Sequence, residues 1–314
     1  MKNDTETTTI RARGKLLLTG EYAVLDGAQA LAVPVRFGQT LEVGASTDVE
    51  KLHWKSIDEQ GITWFSAVFA LPALDLLEST SIFTAERLQG ILAACRKQNP
   101  EFLSDATGWQ VRTRTDFPRR WGLGTSSTLI AALAHWAGVD PYAVLSDTFG
   151  GSGYDIACAF AEGPLVYRLE EKQPHVQPFH FSPAFAAHMC FVFLGKKQNS
   201  REGIQRYRER ARGQSALIDQ ISELTLRVLQ AATLAEFSAI MLEHEQLISR
   251  TLDLQRAQDL YFPDFPGVVK SLGAWGGDFV LAMSEQAPDW VADYFLKKGF
   301  STCLPYWDMV VAPE

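Results

Sequence analysis

The stretch Trp121-Gly122-Leu123-Gly124-Thr125-Ser126-Ser127, running into Thr128-Leu129-Ile130-Ala131-Ala132-Leu133-Ala134, organises the reading of this chain. Two glycines let the backbone turn tightly and present its N–H groups, three hydroxyl side chains supply caps and metal-ligand oxygens, and the alanine-rich run favours helix. A helix N-terminus built this way suits a phosphate, because its first N–H groups lack intrahelical acceptors and point the same way. The segment is not a GxxxxGK[ST] loop, since no lysine follows the second glycine, and not GxGxxG, since Ser127 stands where the third glycine belongs. An ordinary glycine loop before a helix reads the same way, so both readings stand on this segment alone.

Working outward, Trp109 to Thr115 alternates polar and apolar residues and predicts a strand feeding the loop. Thr8 to Val43 alternates short apolar runs with turn residues and predicts strands joined by tight turns. Residues 51–66 predict a hairpin around Asp58-Glu59-Gln60-Gly61, Thr84 to Gln98 an amphipathic helix, Pro141 to Asp147 a helix ending at Gly150-Gly151, and Pro164 to Leu169 a strand. Past the proline-rich stretch 174–183 the pattern changes. Met189 to Leu194 reads as a buried strand, 201–230 and 234–252 as charged helices, and 268–314 as two strands with one short helix. These shifts predict two domains, 1–183 and 184–314.

The 314 residues are 46% apolar, enough for a sizeable core, and a net charge of −8 argues against a sequence-independent nucleic-acid binder. No apolar run approaches a membrane span and the N-terminal residues are polar, so a soluble, cytoplasmic protein without membrane association is expected. Cys95, Cys158, Cys190 and Cys303 are far apart and form no CxxC pair, which indicates neither a zinc cluster nor a disulfide framework.

Three further segments could carry chemistry. In Gly14-Lys15-Leu16-Leu17-Leu18-Thr19-Gly20-Glu21-Tyr22 a lysine at the edge of an apolar strand can bury its stem and aim its ammonium at a phosphate or carboxylate, or simply snorkel. In Gly150-Gly151-Ser152-Gly153-Tyr154-Asp155-Ile156-Ala157 the aspartate precedes an apolar run and serves either as a helix cap or as a catalytic carboxylate. Lys270-Ser271-Leu272-Gly273-Ala274-Trp275-Gly276-Gly277-Asp278 is a second glycine loop, also readable as a bulged turn.

In this order the segments resemble the three motifs of the GHMP kinase superfamily: PGKxxLxGEH/Y at Arg13 to Tyr22, PxxxGLGSSA at Pro118 to Ser127, and a KxTGAGGG-type loop at Lys270 to Gly277. Tyr22 after Glu21, the GSGxD segment at Gly151 to Asp155, and Gly276-Gly277-Asp278 resemble the phosphomevalonate kinase branch more than the mevalonate kinases. The string Gly153-Tyr154-Asp155-Ile156-Ala157 is also similar to a bacterial subgroup named after those letters. The resemblance implies an α+β fold of two domains, an N-terminal one like ribosomal protein S5 domain 2 and a ferredoxin-like C-terminal one, with ATP and acceptor in the cleft between them. It implies that Gly122, Leu123, Gly124, Thr125, Ser126 and Ser127 cradle the ATP phosphates and that Ser127 offers a hydroxyl to Mg²⁺. Asp155 would take the acceptor's proton or orient its oxygen, while Lys15 would hold Asp155 ionised and steady the transferring group. Glu21, Tyr22, Ser152, Gly153, Gly273, Ala274, Gly276 and Gly277 would shape the acceptor site, with Lys197, Ser200 and Arg120 as further contacts to an acidic acceptor. The expected activity is ATP-dependent phosphorylation of a small isoprenoid-pathway acceptor, phosphomevalonate first and mevalonate second, with a catalytically impaired nucleotide-binding paralogue as the alternative.

The chain departs from the family pattern in three places. Many members carry a Mg²⁺-binding glutamate about three helical turns before the aspartate of the GSGxD segment; the corresponding residue here is Val144, with Asp147 as a nearby substitute. The segment between Ser127 and Gly150 is short for the family. Trp275 replaces a glycine of the third motif, where an indole would narrow the pocket or stack on the ligand.

Overall fold

The computed structural model describes residues 7–195, 200–273, 275 and 278–313, with the backbone alone at Ser200 and Arg201. The chain forms two compact units that are not contiguous in sequence. The first comprises the chain up to Gly14 with Phe37–Arg119 and Gly124–Phe160; the second comprises Lys15–Arg36, Arg120–Leu123 and the chain from Ala161 onward. Two strands, β1 (Thr8–Leu17) and β2 (Ala30–Ser46), run from one into the other.

In the first unit β2 pairs with β1 and, antiparallel, with β6 (Gly108–Thr115), from Gln39 opposite Thr115 to Ser46 opposite Gly108. Beyond β6 lie β3 (Lys51–Ile57), β4 (Thr63–Ala70) and β5 (Asp75–Ser79), with the β3–β6 pair parallel. The alternation along β6 works as the sequence predicts: Val111, Thr113 and Thr115 are buried, whereas Arg112 and Arg114 face solvent. The predicted hairpin at 51–66 is β3 with β4. Helices α1 (Ile82–Gln98), α2 (Thr125–Ala137), α3 (Pro141–Thr148) and α4 (Tyr154–Cys158) share one apolar core with this sheet. Ser81 caps α1 by accepting from the Thr84 N–H, which starts the helix two residues before the periodicity suggests. Helix α2 is apolar nearly all round, with Ile130, Ala131, Ala132, Leu133 and Ala134 buried, so it packs against α1, α3 and α4.

In the second unit the first residues of β2 pair with β7 (Leu165–Glu170), and β7 pairs with β8 (Gln173–Pro178). The proline-rich stretch 174–183, to which the sequence reading gave no element, thus contains part of a strand. It is tolerated because β8 is an edge strand, where the N–H groups that Pro174 and Pro178 lack are not all needed. A separate antiparallel sheet has the order β10 (Val268–Ser271), β11 (Phe279–Met283), β9 (Met189–Phe193), β12 (Cys303–Pro305). β9 and β11 are apolar and buried at every position, as central strands covered on both faces must be. The helices are α5 (Ser200–Arg210), α6 (Ser215–Gln230), α7 (Leu234–Leu252), α8 (Ala257–Tyr261), α9 (Pro288–Lys297) and α10 (Tyr306–Met309). The single helix expected over 201–230 is therefore two, and the described residues of the stretch 268–314 hold three strands and two helices. No helix among the described residues is long and apolar enough to cross a membrane.

Candidate functional site

Gly124 is the N-cap of α2 at φ 95°, a left-handed conformation in which a side chain would be strained, and no side chain caps the helix. The cap therefore leaves the first-turn N–H groups without a side-chain partner, and the apolar body of α2 anchors that end in the core. Ser127 is buried and its Oγ donates to the Gly124 carbonyl at 2.8 Å, leaving the oxygen's lone pairs available; Ser126 is exposed and Thr125 half-buried. In the same unit Asp155 lies in the first turn of α4. The cap of that helix is Gly153, and the Asp155 Oδ1 accepts from the adjacent Ile156 N–H at 3.0 Å. Of the two sequence readings of Asp155, the N-cap one is thus taken by Gly153, and the half-buried carboxylate keeps acceptor capacity. Ser152 is half-buried beside it.

The residues available for Mg²⁺ are sparse. Val144 is fully buried in the apolar core, and Asp147 is engaged by Lys97 at 2.8 Å. Among the described residues no group of three or more His, Cys, Asp or Glu side chains could hold a metal. Magnesium commonly binds through one or two carboxylates, substrate phosphates and water, and at the position where the motif resemblance implied a carboxylate stands the buried Val144. The side chains do not form a metal site of their own.

In the second unit the residues just before α2 meet the end of β1. The Lys15 N–H donates to the Leu123 carbonyl at 3.1 Å, and its Nζ donates to the Gly122 carbonyl at 3.2 Å. Gly122 has φ 69°, and a Cβ there would run into the Asp278 carboxylate, so glycine is required on two counts. Trp121 packs edge-on against Phe279 at 5.5 Å and against Phe193 at 6.4 Å, which seats this turn on β11 and β9. Arg120 is exposed, with its guanidinium 5.9 Å from the Phe193 ring.

Four residues past the end of β1, Glu21 belongs to a fully buried polar cluster. Lys270, on β10, donates from Nζ to Glu21 Oε1 and to the Ser271 carbonyl; Lys270, Glu21, His244 and Glu245 are all at or near zero exposure. Burial pushes the Glu21 carboxyl above its usual range, opposed by the Lys270 charge and hydrogen bond. His244 Nε2 accepts from the Gly20 N–H at 3.0 Å, and burial, aided by Lys270, holds the ring well below its usual pKa. His244 is thus neutral, and its 3.4 Å approach to Glu21 is not an ion pair. Glu245 accepts from the Ser271 N–H and from Ser271 Oγ at 2.9 Å; burial raises it to about 7 against the pull of Lys270 and these bonds. Sequence motifs flagged Glu21 and Lys270 but missed His244 and Glu245. Their signal was present: Phe237, Ile240, Met241, His244, Ile248 and Leu252 recur at helical spacing on the buried face of α7, with Glu245 beside them.

Tyr22 is held inside as well. Its hydroxyl accepts from the Trp275 N–H at 3.2 Å, and its ring stacks 6.1 Å from Tyr207. Trp275 is 6% exposed and packs with Tyr22, Ala23, Ala28 and Tyr207 in an apolar cluster. The indole expected to narrow a ligand pocket is therefore core, pinning the third glycine segment to the first. Gly273 is half-buried at φ 60°. Lys197, Ala274, Gly276 and Gly277 lie outside the described residues, as does the Ser200 side chain.

Solved structures share this architecture along nearly the whole chain. The mevalonate kinase of L. major in complex with R-mevalonate aligns with a TM-score of 0.71 and 15% identity, covering 100% of this chain and 99% of that one. A Streptococcus pneumoniae phosphomevalonate kinase in complex with phosphomevalonate and AMPPNP gives 0.67 and 17%, covering 94% and 99%. The Lactococcus lactis galactokinase complexed with galactose gives 0.62 and 13%, covering 94% and 89%. The chain has the GHMP kinase fold. No family model and no curated protein matches it by sequence.

Proposed function

We propose that this protein is an ATP-dependent kinase of a small acidic acceptor, with phosphomevalonate the preferred substrate and mevalonate the runner-up. The observation that carries the reading is the glycine-capped N-terminus of α2, where no side chain caps the first-turn N–H groups, in a chain with the fold of small-molecule kinases. Phosphoryl transfer proceeds through a loose transition state with charge on oxygen, so aligned N–H donors and placed cations supply most of the catalysis. In the proposed reaction an acceptor oxygen attacks the γ-phosphorus of ATP and forms the new P–O bond. The bond to the bridging oxygen of ADP breaks, while the Asp155 carboxylate orients the attacking oxygen and, where the acceptor is a hydroxyl, takes its proton. Lys15 supplies positive charge, fixed beside the loop by its bond to the Gly122 carbonyl. Tyr22 in place of the histidine usual in mevalonate kinases, and the exposed cations Arg112, Arg114 and Arg120, support an acceptor that is already phosphorylated. Lys197, Ser200, Ala274, Gly276 and Gly277 stay in the proposal as acceptor contacts. The domain division at residue 183 belongs to it too.

The test is ADP release from ATP with Mg²⁺ across phosphomevalonate, mevalonate, homoserine and galactose. Turnover fastest with phosphomevalonate is expected, and turnover with none of them refutes the reading. One observation favours a second reading, a nucleotide-binding paralogue without catalysis: Val144, buried in the core, stands where the metal-binding glutamate belongs. That reading predicts ATP binding by calorimetry without turnover.

A further inference from the structure

The four cysteines are scattered in sequence, and the fold brings two of them together. On the antiparallel pair β9 and β12, Cys190 stands opposite Pro305 and Cys303 opposite Val192, so the two cysteines are diagonal neighbours on one side of the sheet. Their sulfurs are 3.2 Å apart. A disulfide needs about 2.0 Å, so side-chain torsions have only roughly 1 Å to close. Cys190 is buried among Val192, Val269, Val280 and Phe295, and Cys303 sits at the margin of the same cluster, partly exposed.

That difference makes the pair asymmetric. Cys190 is shut inside the apolar cluster, whereas the Cys303 sulfur lies at its margin, where solvent and an oxidant reach it first. An accessible thiol thus lies against a buried partner placed to resolve it. Cys95 offers the contrast: it is fully buried, and burial alone pushes its thiol up to about 12. A metal site does not explain the pair, because among the described residues no third His, Cys, Asp or Glu completes a cluster, and tetrahedral zinc needs more ligands.

We propose that Cys190 and Cys303 form an oxidation site for hydroperoxides that closes reversibly to a disulfide. The Cys303 thiolate attacks the distal oxygen of the hydroperoxide; an S–O bond forms, the O–O bond breaks, and the alkoxide takes up a proton and leaves as the alcohol, or as water from hydrogen peroxide. The Cys190 sulfur then attacks the sulfenic sulfur; the S–S bond forms, the S–O bond breaks, and the departing hydroxide leaves as water with the Cys190 proton. Two thiols are oxidised and one peroxide is reduced. A small thiol reductant reverses the bond by exchange. The bond would tie β12, a three-residue edge strand, to the central strand β9 across 113 positions of sequence. At its other end β9 carries Phe193, which packs against Trp121 of the turn before α2.

The experiment treats the full chain with hydrogen peroxide, alkylates the remaining thiols and maps peptides by mass spectrometry. The expected result is a linked peptide pair joining Cys190 to Cys303, removed by dithiothreitol, with Cys95 and Cys158 still alkylatable. In Cys303→Ser the rate of thiol loss should fall roughly 10-fold or more. In Cys190→Ser a dimedone adduct should accumulate at Cys303. Native chain in which both thiols remain alkylatable, or in which Cys303 passes to sulfinic acid without linking, overturns the proposal. The peptide map of the unsubstituted chain carries the test even where a variant fails to fold.

Discussion

Lys270→Met replaces a fully buried ammonium by an apolar side chain of similar length, leaving the Glu21 and Glu245 carboxyls without their shared cation. Removing one partner of a buried ion pair typically costs about 3–5 kcal/mol, because the remaining charge has lost its water and must neutralise or stay unpaired. The upper part of that range applies here, since Lys270 opposes the rise of two carboxyls and both are fully buried. For a chain of this length the loss corresponds to a fall in Tm of roughly 5–8 °C. The assay is urea unfolding followed by fluorescence and circular dichroism, with Glu21→Gln and the double variant Glu21→Gln/Lys270→Met completing a cycle. The double variant should be more stable than Lys270→Met alone, because the Glu21 charge that the lysine neutralised is gone as well and only Glu245 is left without the cation. A loss below about 1 kcal/mol in Lys270→Met, or a double variant whose loss equals the sum of the singles, would refute the buried-pair account.

Glu245 titrates from 4.5 unfolded to about 7 folded. The folded state therefore holds a proton the unfolded state has released, and Glu245's contribution is fully present below pH 4.5 and lost as pH rises to 7. The stability difference between the native chain and Glu245→Gln should fall by about 3 kcal/mol across that window, measured by unfolding at several pH values. His244 works in the opposite sense, since its lowered pKa favours the folded state above the unfolded value of 6.5 and destabilises it as pH falls below. Gly122→Ala places a Cβ against the Asp278 carboxylate and should lower kcat/KM for ATP roughly 10-fold or more at unchanged fold; unchanged kinetics would contradict the tight-turn reading. Trp275→Ala empties a buried indole site and should cost about 3–5 kcal/mol by denaturant unfolding, whereas a surface indole would cost little.

Much of the site's local chemistry was legible in sequence because it lies within single elements. The turn Trp121 to Ser127 and the helix after it, the alternation of β6 and the two glycine segments follow from spacing and residue type. The long-range pairings did not. Glu21 and Lys270 are 249 positions apart and become partners only through packing, so a sequence reading that gave Glu21 to the acceptor could not foresee a buried carboxylate held by a lysine. Reading 234–252 as a charged helix did not single out His244 and Glu245, although the apolar spacing around them marks the buried face. Cys190 and Cys303 carry no local signature at all, as their approach depends on which strands become neighbours. The strand β8 went unassigned because its prolines obscure the alternation of a strand, and an edge position tolerates them.

The central claim is phosphoryl transfer, and phosphorus NMR of the purified protein with ATP, Mg²⁺ and phosphomevalonate tests it most directly. The account predicts stoichiometric conversion to ADP and a phosphorylated acceptor, with the rate falling about 10²–10⁴-fold in Asp155→Asn while ATP affinity is retained. ATP binding without a new phosphorus signal on any acceptor, or full turnover in Asp155→Asn, would contradict it.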